Sequence, residues 1–111
     1  MNIQIFGKDK CFDTKKAERY FKERRIKFQR IDMLTAGMSR GEFNSVKASV
    51  GIEAMIDDKA DGAEIVAYLA YEKDREEKLL ERPDFIRTPI VRNGRDATVG
   101  YRPDVWKGWG G

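Results

Sequence analysis

The sequence is poor in cysteine, and its single thiol limits the redox chemistry open to the chain. Among 111 residues only Cys11 is a cysteine, so no disulfide can form within the chain. An intramolecular disulfide switch is therefore excluded. Such sparing use of cysteine is typical of a reducing compartment, and we expect a cytoplasmic protein. Cys11 is then either inert packing or a reactive group.

The chain also lacks a large excess of charge of one sign, and it lacks a long apolar run. Its 22 Lys and Arg residues are nearly balanced by 19 Asp and Glu residues, for a net charge of +3. This charge is too small to predict direct binding of nucleic acid. No run approaches the ~20 apolar residues of a membrane span, and residues 1–6 do not resemble a secretory signal. We therefore expect contact with neither nucleic acid nor a membrane.

The remaining composition is that of one globular domain. Hydrophobic residues make up 41% of the chain and charged residues 37%, which fits a folded core beneath a heavily charged surface. Domains commonly have roughly 100 to 150 residues, so we expect residues 1–111 to form a single domain.

The first third of the chain predicts a β-α-β unit. Residues 3–6 and 26–31 have the pattern of short strands, and residues 13–25 that of an amphipathic helix between them. The apolar face of this helix has i, i+3, i+4 spacing, through Ala17, Tyr20 and Phe21. Cys11 therefore lies in the loop just before the first turn of a helix.

A helical stretch of about residues 39–82 follows. Ser39-Arg40-Gly41-Glu42 has the Ser-x-x-Glu form of a capping box, which marks a helix start. Residues 52–82 are helical in composition and end at Pro83. Two apolar stripes are expected in them, one of Ile65, Tyr68 and Leu69 and another of Leu79 and Leu80.

The end of the chain predicts a hairpin and a short helix. Residues 90–92 and 97–99 flank Asn93-Gly94, a pair that tolerates the positive φ angles of a two-residue type I′ turn. Pro103 suits the first turn of a last helix through Trp106, whose indole we expect in the core. Residues 108–111 should fray. The element order is thus β-α-β, a helical insertion, then β-β-α.

Cys11 is the candidate for chemistry, because the start of a helix favours a thiolate over a thiol. Lys8 and Lys10 add positive charge, although neighbouring aspartates oppose it. Thr14, three residues on, can place its hydroxyl near the sulfur. The alternative is a buried cysteine that acts as a small hydrophobic residue. The polar loop around Cys11 favours the reactive interpretation.

Three stretches, in the same order and over nearly the whole chain, resemble the arsenate reductase-like and Spx-like branch of the thioredoxin superfamily. They are Ile5–Ala17 with its Cys-x-x-Thr motif, Met38–Phe43, and Thr88–Val91 followed by Gly94 and Gly100–Pro103. The resemblance implies an α/β fold with a thioredoxin-like mixed four-stranded sheet and an inserted all-helical region. It makes Pro89 a cis-proline that faces Cys11. Many such domains are monomers, and we expect a monomer here.

The resemblance implies a thiol-dependent oxidoreductase coupled to glutathione and glutaredoxin, with Cys11 as nucleophile and no bound cofactor or metal. In arsenate reductases three arginines hold the oxyanion, as suits forked donors. Here only Arg102 clearly matches. The residue directly before Pro89 is Thr88, so Arg87 is one position away from the second arginine of the family. In the region of the third arginine, residues 54–59 supply carboxylates instead of a cation. These departures weigh against arsenate as the substrate.

Thr88 beside Pro89 is similar to the arrangement in glutaredoxins and thioredoxins, where backbone groups pair with an extended thiol substrate. This favours glutathione or a protein disulfide as the partner. We therefore predict Cys11, Thr14 and Arg102 as catalytic residues, and as substrate-binding residues Lys8, Lys10, Arg87, Thr88 and Pro89. The alternatives are an Spx-like regulator that binds RNA polymerase and a relative without catalysis.

Overall fold

The computed structural model describes residues 1–109, and within them the chain forms four strands and five α-helices. The strands are β1 (Ile3–Gly7), β2 (Phe28–Asp32), β3 (Ile90–Asn93) and β4 (Asp96–Val99). The helices are α1 (Phe12–Glu23), α2 (Arg40–Val50), α3 (Glu64–Tyr68), α4 (Glu72–Glu81) and α5 (Pro103–Trp106). Short 3₁₀ turns lie at Glu53–Met55, Pro83–Phe85 and Lys107–Trp109.

The four strands make one mixed sheet in the order β2-β1-β3-β4. β1 runs parallel to β2 and antiparallel to β3, and β3 is antiparallel to β4. The parallel pair requires a crossover, which α1 supplies. The predicted α/β fold is therefore confirmed, with the β-α-β and β-β-α units joined in one sheet and the helical insertion between them.

Both faces of the central strands are covered, because successive side chains of a strand point to opposite faces. Phe6 and Ile90 pack against the helical insertion, whereas Ile5 and Val91 pack against α1 and α5. Trp106 is buried in this second cluster, as predicted. The sheet thus lies between two layers of helix, and the loops at its ends are left to form a site.

The helical insertion begins as predicted and then departs from the prediction. Ser39 Oγ accepts a hydrogen bond from the Glu42 N–H at 3.1 Å, and the Glu42 carboxylate accepts one from the Ser39 N–H at 2.9 Å. This is the complete capping box. The apolar stripe predicted for α3 is wrong, since Ile65 and Tyr68 are 46% and 84% exposed. A helix of five residues is oriented by its neighbours, and here it packs through Val66.

The hairpin is present, but its turn is centred one residue later than predicted. Asn93 pairs with Asp96, so the two turn residues are Gly94 and Arg95. Gly94 has φ +63°, while Arg95 does not have a positive φ. A type I′ turn requires positive φ at both positions, so that turn type is wrong.

Residues 107–109, near the end of the described part of the chain, are more ordered than expected. α5 forms as predicted, and Lys107–Trp109 continue as a 3₁₀ turn instead of fraying. Gly110 and Gly111, the rest of that expectation, lie outside the described residues. Within residues 1–109, no helix combines the length and apolarity needed to cross a bilayer.

Candidate functional site at Cys11

Cys11 lies where the loop after β1 meets the loop before β3. β1 and β3 are antiparallel, with Phe6 opposite Ile90. Because the residues after Phe6 continue in this register past the residues before Ile90, the loop that follows β1 starts beside Thr88. The Thr88–Pro89 peptide bond is cis, as the resemblance implied. The sulfur of Cys11 is 3.5 Å from the carbonyl oxygen of Thr88. Two segments that are distant in the sequence therefore form one site.

Cys11 occupies the N-cap position of α1, with extended backbone angles and its carbonyl already bound to the Lys15 N–H at 3.3 Å. In the thiol form its side chain makes no capping hydrogen bond, and the backbone N–H groups of Asp13 and Thr14 at the start of the helix favour the thiolate form of the sulfur. Its burial is intermediate. The alternative of a fully buried cysteine therefore does not fit this structure.

Thr14 is fully buried below the thiol. Its hydroxyl oxygen accepts a hydrogen bond from the Lys8 N–H at 3.4 Å. Its methyl group packs on Gly7, where an added Cβ would lie only 2.2 Å from Thr14 Cγ2. The absence of a side chain at Gly7 thus permits α1 to approach β1 closely.

Gly7→Ala is expected to destabilise the fold by about 1 to 3 kcal/mol, the usual range for overpacking a filled site. Thr14 cannot move aside easily, because it is β-branched and held in a helix. Gly41→Ala is the matched control, since nothing lies within 4 Å of a Cβ at that helical position. It should be neutral or stabilising. Urea denaturation of both variants tests this, and equal midpoints would contradict it.

The pKa of the Cys11 thiol is lower than its ordinary value, as the net result of two opposed effects. Burial raises this pKa, because it disfavours the charged thiolate. Hydrogen bonds from the hydroxyl groups of Thr14 and Thr88 and from the backbone N–H groups of Thr14 and Asp13 lower it, and together they outweigh burial. The S–H contact to the Thr88 carbonyl oxygen favours the thiol and is lost on ionisation. The net direction is toward a more reactive sulfur.

The thiol opens into a groove of about 690 Å³, which we call the thiol groove. Its charged side chains have mixed signs. The four cations are Lys8, Lys10, Lys59 and Arg87, and the three carboxylates are Asp13, Asp57 and Asp58. Cys11, Phe12 and Thr88 complete the lining. The carboxylates expected from residues 54–59 thus do face the thiol.

Lys8 is engaged within the protein instead of facing the groove as a free cation. Its ammonium donates to the Asp84 backbone carbonyl at 2.9 Å and pairs with Asp57 at 3.4 Å. The bond to Asp84 ties the loop after β1 to the segment that leads to Thr88, and the pair with Asp57 ties it to the helical insertion. Of the predicted substrate-binding lysines, Lys8 therefore has a structural partner, whereas Lys10 is exposed on the rim of the groove.

The two candidate arginines lie in different places. Arg87 lines the thiol groove, and its backbone N–H is fixed by the Met55 carbonyl at 2.8 Å. Arg102 does not line that groove. It is exposed beside α5 and forms a two-point ion pair with Asp104, with both N–O distances 3.1 Å. The structure thus brings Arg87, but not Arg102, to the thiol.

Phe12 is a lining residue that sequence analysis did not single out. It directly follows Cys11 and is 78% exposed, so it presents an apolar surface beside the sulfur. Its place between Cys11 and the helix predicted for residues 13–25 was the available signal. In the described part of the chain no three metal-binding side chains cluster.

Comparison with known proteins identifies the fold. No model of a protein family matches the chain, and no curated protein matches its sequence. Among solved structures, a protein from Bacteroides fragilis named as related to the ArsC family matches with a TM-score of 0.86, over 99% of this chain and 98% of that one, at 14% identity.

Two further structures agree. The arsenate reductase from Vibrio cholerae matches with a TM-score of 0.79 over 93% of this chain and 92% of its own, at 22% identity. An arsenate reductase (ArsC) related protein from Brucella melitensis matches with a TM-score of 0.68 over 98% and 94%, at 17% identity. This chain therefore has the thioredoxin-like fold of ArsC proteins over nearly its full length.

Proposed function

We propose that this protein is a thiol-dependent oxidoreductase of the ArsC-like kind, with Cys11 as its single nucleophile. The observation that supports this best is the placement of the Cys11 sulfur at the start of α1, next to Thr88 and open to the thiol groove. The lowered pKa of the thiol acts in the same direction. Fold likeness alone would not assign an activity.

With Cys11 as its one cysteine, the protein can exchange with a disulfide only if a separate thiol restores Cys11 afterwards. The Cys11 thiolate attacks one sulfur of a disulfide, the bond between the two sulfurs breaks, and the released thiolate takes a proton from water. The product is a mixed disulfide on Cys11. A second thiol, from glutathione, a glutaredoxin or a protein, then attacks the mixed disulfide and restores Cys11. A cytoplasmic setting suits this cycle because thiols remain reduced there.

Arsenate is the less favoured substrate. A tetrahedral oxyanion at the sulfur would need several forked donors around it, and Arg87 is the one arginine among the described residues that line the thiol groove. Lys8 is already neutralised by Asp57, and two further carboxylates face the groove. A disulfide carries no charge at its reacting sulfur atoms and needs no such set of forked donors.

The proposal is tested by intact-protein mass spectrometry after incubation with oxidised glutathione, and separately with arsenate plus reduced glutathione. The expected result is one glutathione adduct on the wild-type protein, reversed by added thiol, and none on Cys11→Ser. Incubation with arsenate plus reduced glutathione should leave no arsenic adduct on Cys11. Absence of any adduct on folded wild-type protein would reject the proposal. It would favour an RNA polymerase-binding regulator or a relative without catalysis.

A further inference from the structure

A second groove lies beside the thiol groove, and each residue that the structure shows in its lining is charged. We call it the charged groove, and it encloses about 510 Å³. Its lining consists of three cations and three carboxylates, which are Lys8, Lys15, Arg30, Asp9, Glu18 and Asp32. Lys8 lines the thiol groove as well, so the two grooves meet at the loop that leads to Cys11. A side chain of this loop can therefore lie in either groove.

The short turn before Cys11 divides its side chains between the two grooves. The turn is closed by a hydrogen bond from the Cys11 N–H to the Lys8 carbonyl at 3.0 Å. Within it, Lys10 lines the thiol groove, whereas the preceding residue, Asp9, lines the charged groove. Two residues of extended chain span at most about 7 Å, so an Asp9 carboxylate released from its groove is within reach of the sulfur. The contacts of Asp9 therefore matter to the thiol.

Arg30 holds the Asp9 carboxylate, through a hydrogen bond from its Nη2 to Asp9 Oδ1 at 3.1 Å. The guanidinium is itself fixed by other groups. Its Nη1 donates to the backbone carbonyls of Gly7 at 3.3 Å and Ile31 at 2.8 Å, and its Nε lies 3.7 Å from the Glu18 carboxylate. The Arg30 side chain is 23% exposed, against 87% for that of Asp9. The arginine is therefore the fixed member of the pair, and the carboxylate is the member that is held.

We propose that Arg30 is a positioning residue for Cys11: it keeps the Asp9 carboxylate in the charged groove and away from the reacting sulfur. This rests on the proposed function, since it takes Cys11 as the nucleophile. A like charge close to a thiolate disfavours it. With Asp9 held by Arg30, the charged side chains that face the sulfur are those of the thiol groove, namely Lys8, Lys10, Lys59, Arg87, Asp13, Asp57 and Asp58. Three of these seven are carboxylates, and a fourth would further disfavour the thiolate.

The test is a double-mutant cycle on Arg30 and Asp9. The measured quantity is the rate of Cys11 alkylation by uncharged iodoacetamide from pH 5 to 10. Arg30→Gln should slow the reaction about threefold at pH 7 and raise its pH midpoint by about half a pH unit, as for one charge about 7 Å away in water. Adding Asp9→Asn to Arg30→Gln should restore the rate. In the wild-type background, where the carboxylate is held, Asp9→Asn should change the rate by less than about 1.5-fold.

Salt supplies a second readout, which a merely structural role of Arg30 would not move. In 1 M NaCl the Debye length is about 3 Å, so the difference between Arg30→Gln and the wild type should disappear. Arg30→Lys keeps the charge without the fork, should fall between the two, and remains testable if Arg30→Gln does not fold. Arg95→Gln is the matched control, since Arg95 is an exposed arginine of the hairpin turn that lines neither groove. It should keep the wild-type midpoint.

The possible results are distinguishable. If folded wild-type protein forms no adduct with oxidised glutathione, the proposed function fails and this inference fails with it. If the adduct forms but Arg30→Gln keeps the wild-type midpoint, only the assignment of Arg30 is overturned. That assignment is also overturned if Asp9→Asn has the same effect with and without Arg30, or if the slowing is unchanged in 1 M NaCl. In either case Arg30 would not act through the position of the Asp9 charge.

Discussion

Trp106→Ala is expected to lower the free energy of unfolding by about 3 to 5 kcal/mol, the range for deleting a large buried aromatic side chain. The indole is 2% exposed. Its ring makes edge contacts with Tyr20 at 5.2 Å and Tyr101 at 5.6 Å between centroids, and its N–H donates to Thr98 Oγ1 at 2.8 Å. The loss combines removed apolar burial, a cavity and an orphaned buried hydroxyl.

Urea denaturation measures this loss, with the slope of the transition as a check that the unfolded state is unchanged. Trp109→Ala is the matched control, because Trp109 is only partly buried at the edge of the same cluster. Its loss should be clearly smaller. Equal losses in the two variants would contradict the placement of Trp106 as the residue that holds α5 on the sheet.

Thr14→Val is expected to slow alkylation of Cys11 at pH 7 by about five- to tenfold, because it removes a hydrogen bond to a charged group. Valine keeps the shape that packs on Gly7 but has no hydroxyl. The pKa of Cys11 then rises, so less thiolate is present at neutral pH. At high pH, where the thiol is ionised in both proteins, the two rates should converge.

The rate profile from pH 5 to 10 with iodoacetamide checks this, alongside thermal unfolding to confirm that the variant is folded. Thr14→Ser is the control, since it retains the hydroxyl and loses only a methyl group. It should keep a midpoint close to that of the wild type. A uniform slowing of Thr14→Val at every pH would mean that access to the sulfur changed and not its ionisation.

Much of the fold could be predicted because its signals are local. The capping box at Ser39 depends on residues three apart, and the parallel β1–α1–β2 unit follows from short periodic patterns. The position of Cys11 before α1 was predictable for the same reason. The failures also have a local cause. α3 is too short for its own pattern to decide which face is buried, and the hairpin turn was displaced by the register of its strands.

The details of the site were harder to predict from the sequence, because they depend on contacts between distant segments. Nothing near Lys8 in the sequence indicates that its ammonium pairs with Asp57 and with the carbonyl of Asp84. Likewise, the motif around Arg102 predicts an arginine near the thiol, but Arg102 pairs with Asp104 and lines a different groove, between α2, β4 and α5. The sequence pointed to these residues as candidates for the site, but it did not indicate which groups their side chains bind.

The central claim is that folding makes the sulfur of Cys11 more acidic while leaving it accessible. The most direct measurement is the pH midpoint of Cys11 alkylation in the native protein, compared with the midpoint of the same cysteine in the urea-unfolded chain. We predict a lower midpoint in the native protein, with alkylation going to completion. A native midpoint equal to or above that of the unfolded chain, or a native thiol that resists alkylation, would contradict the account.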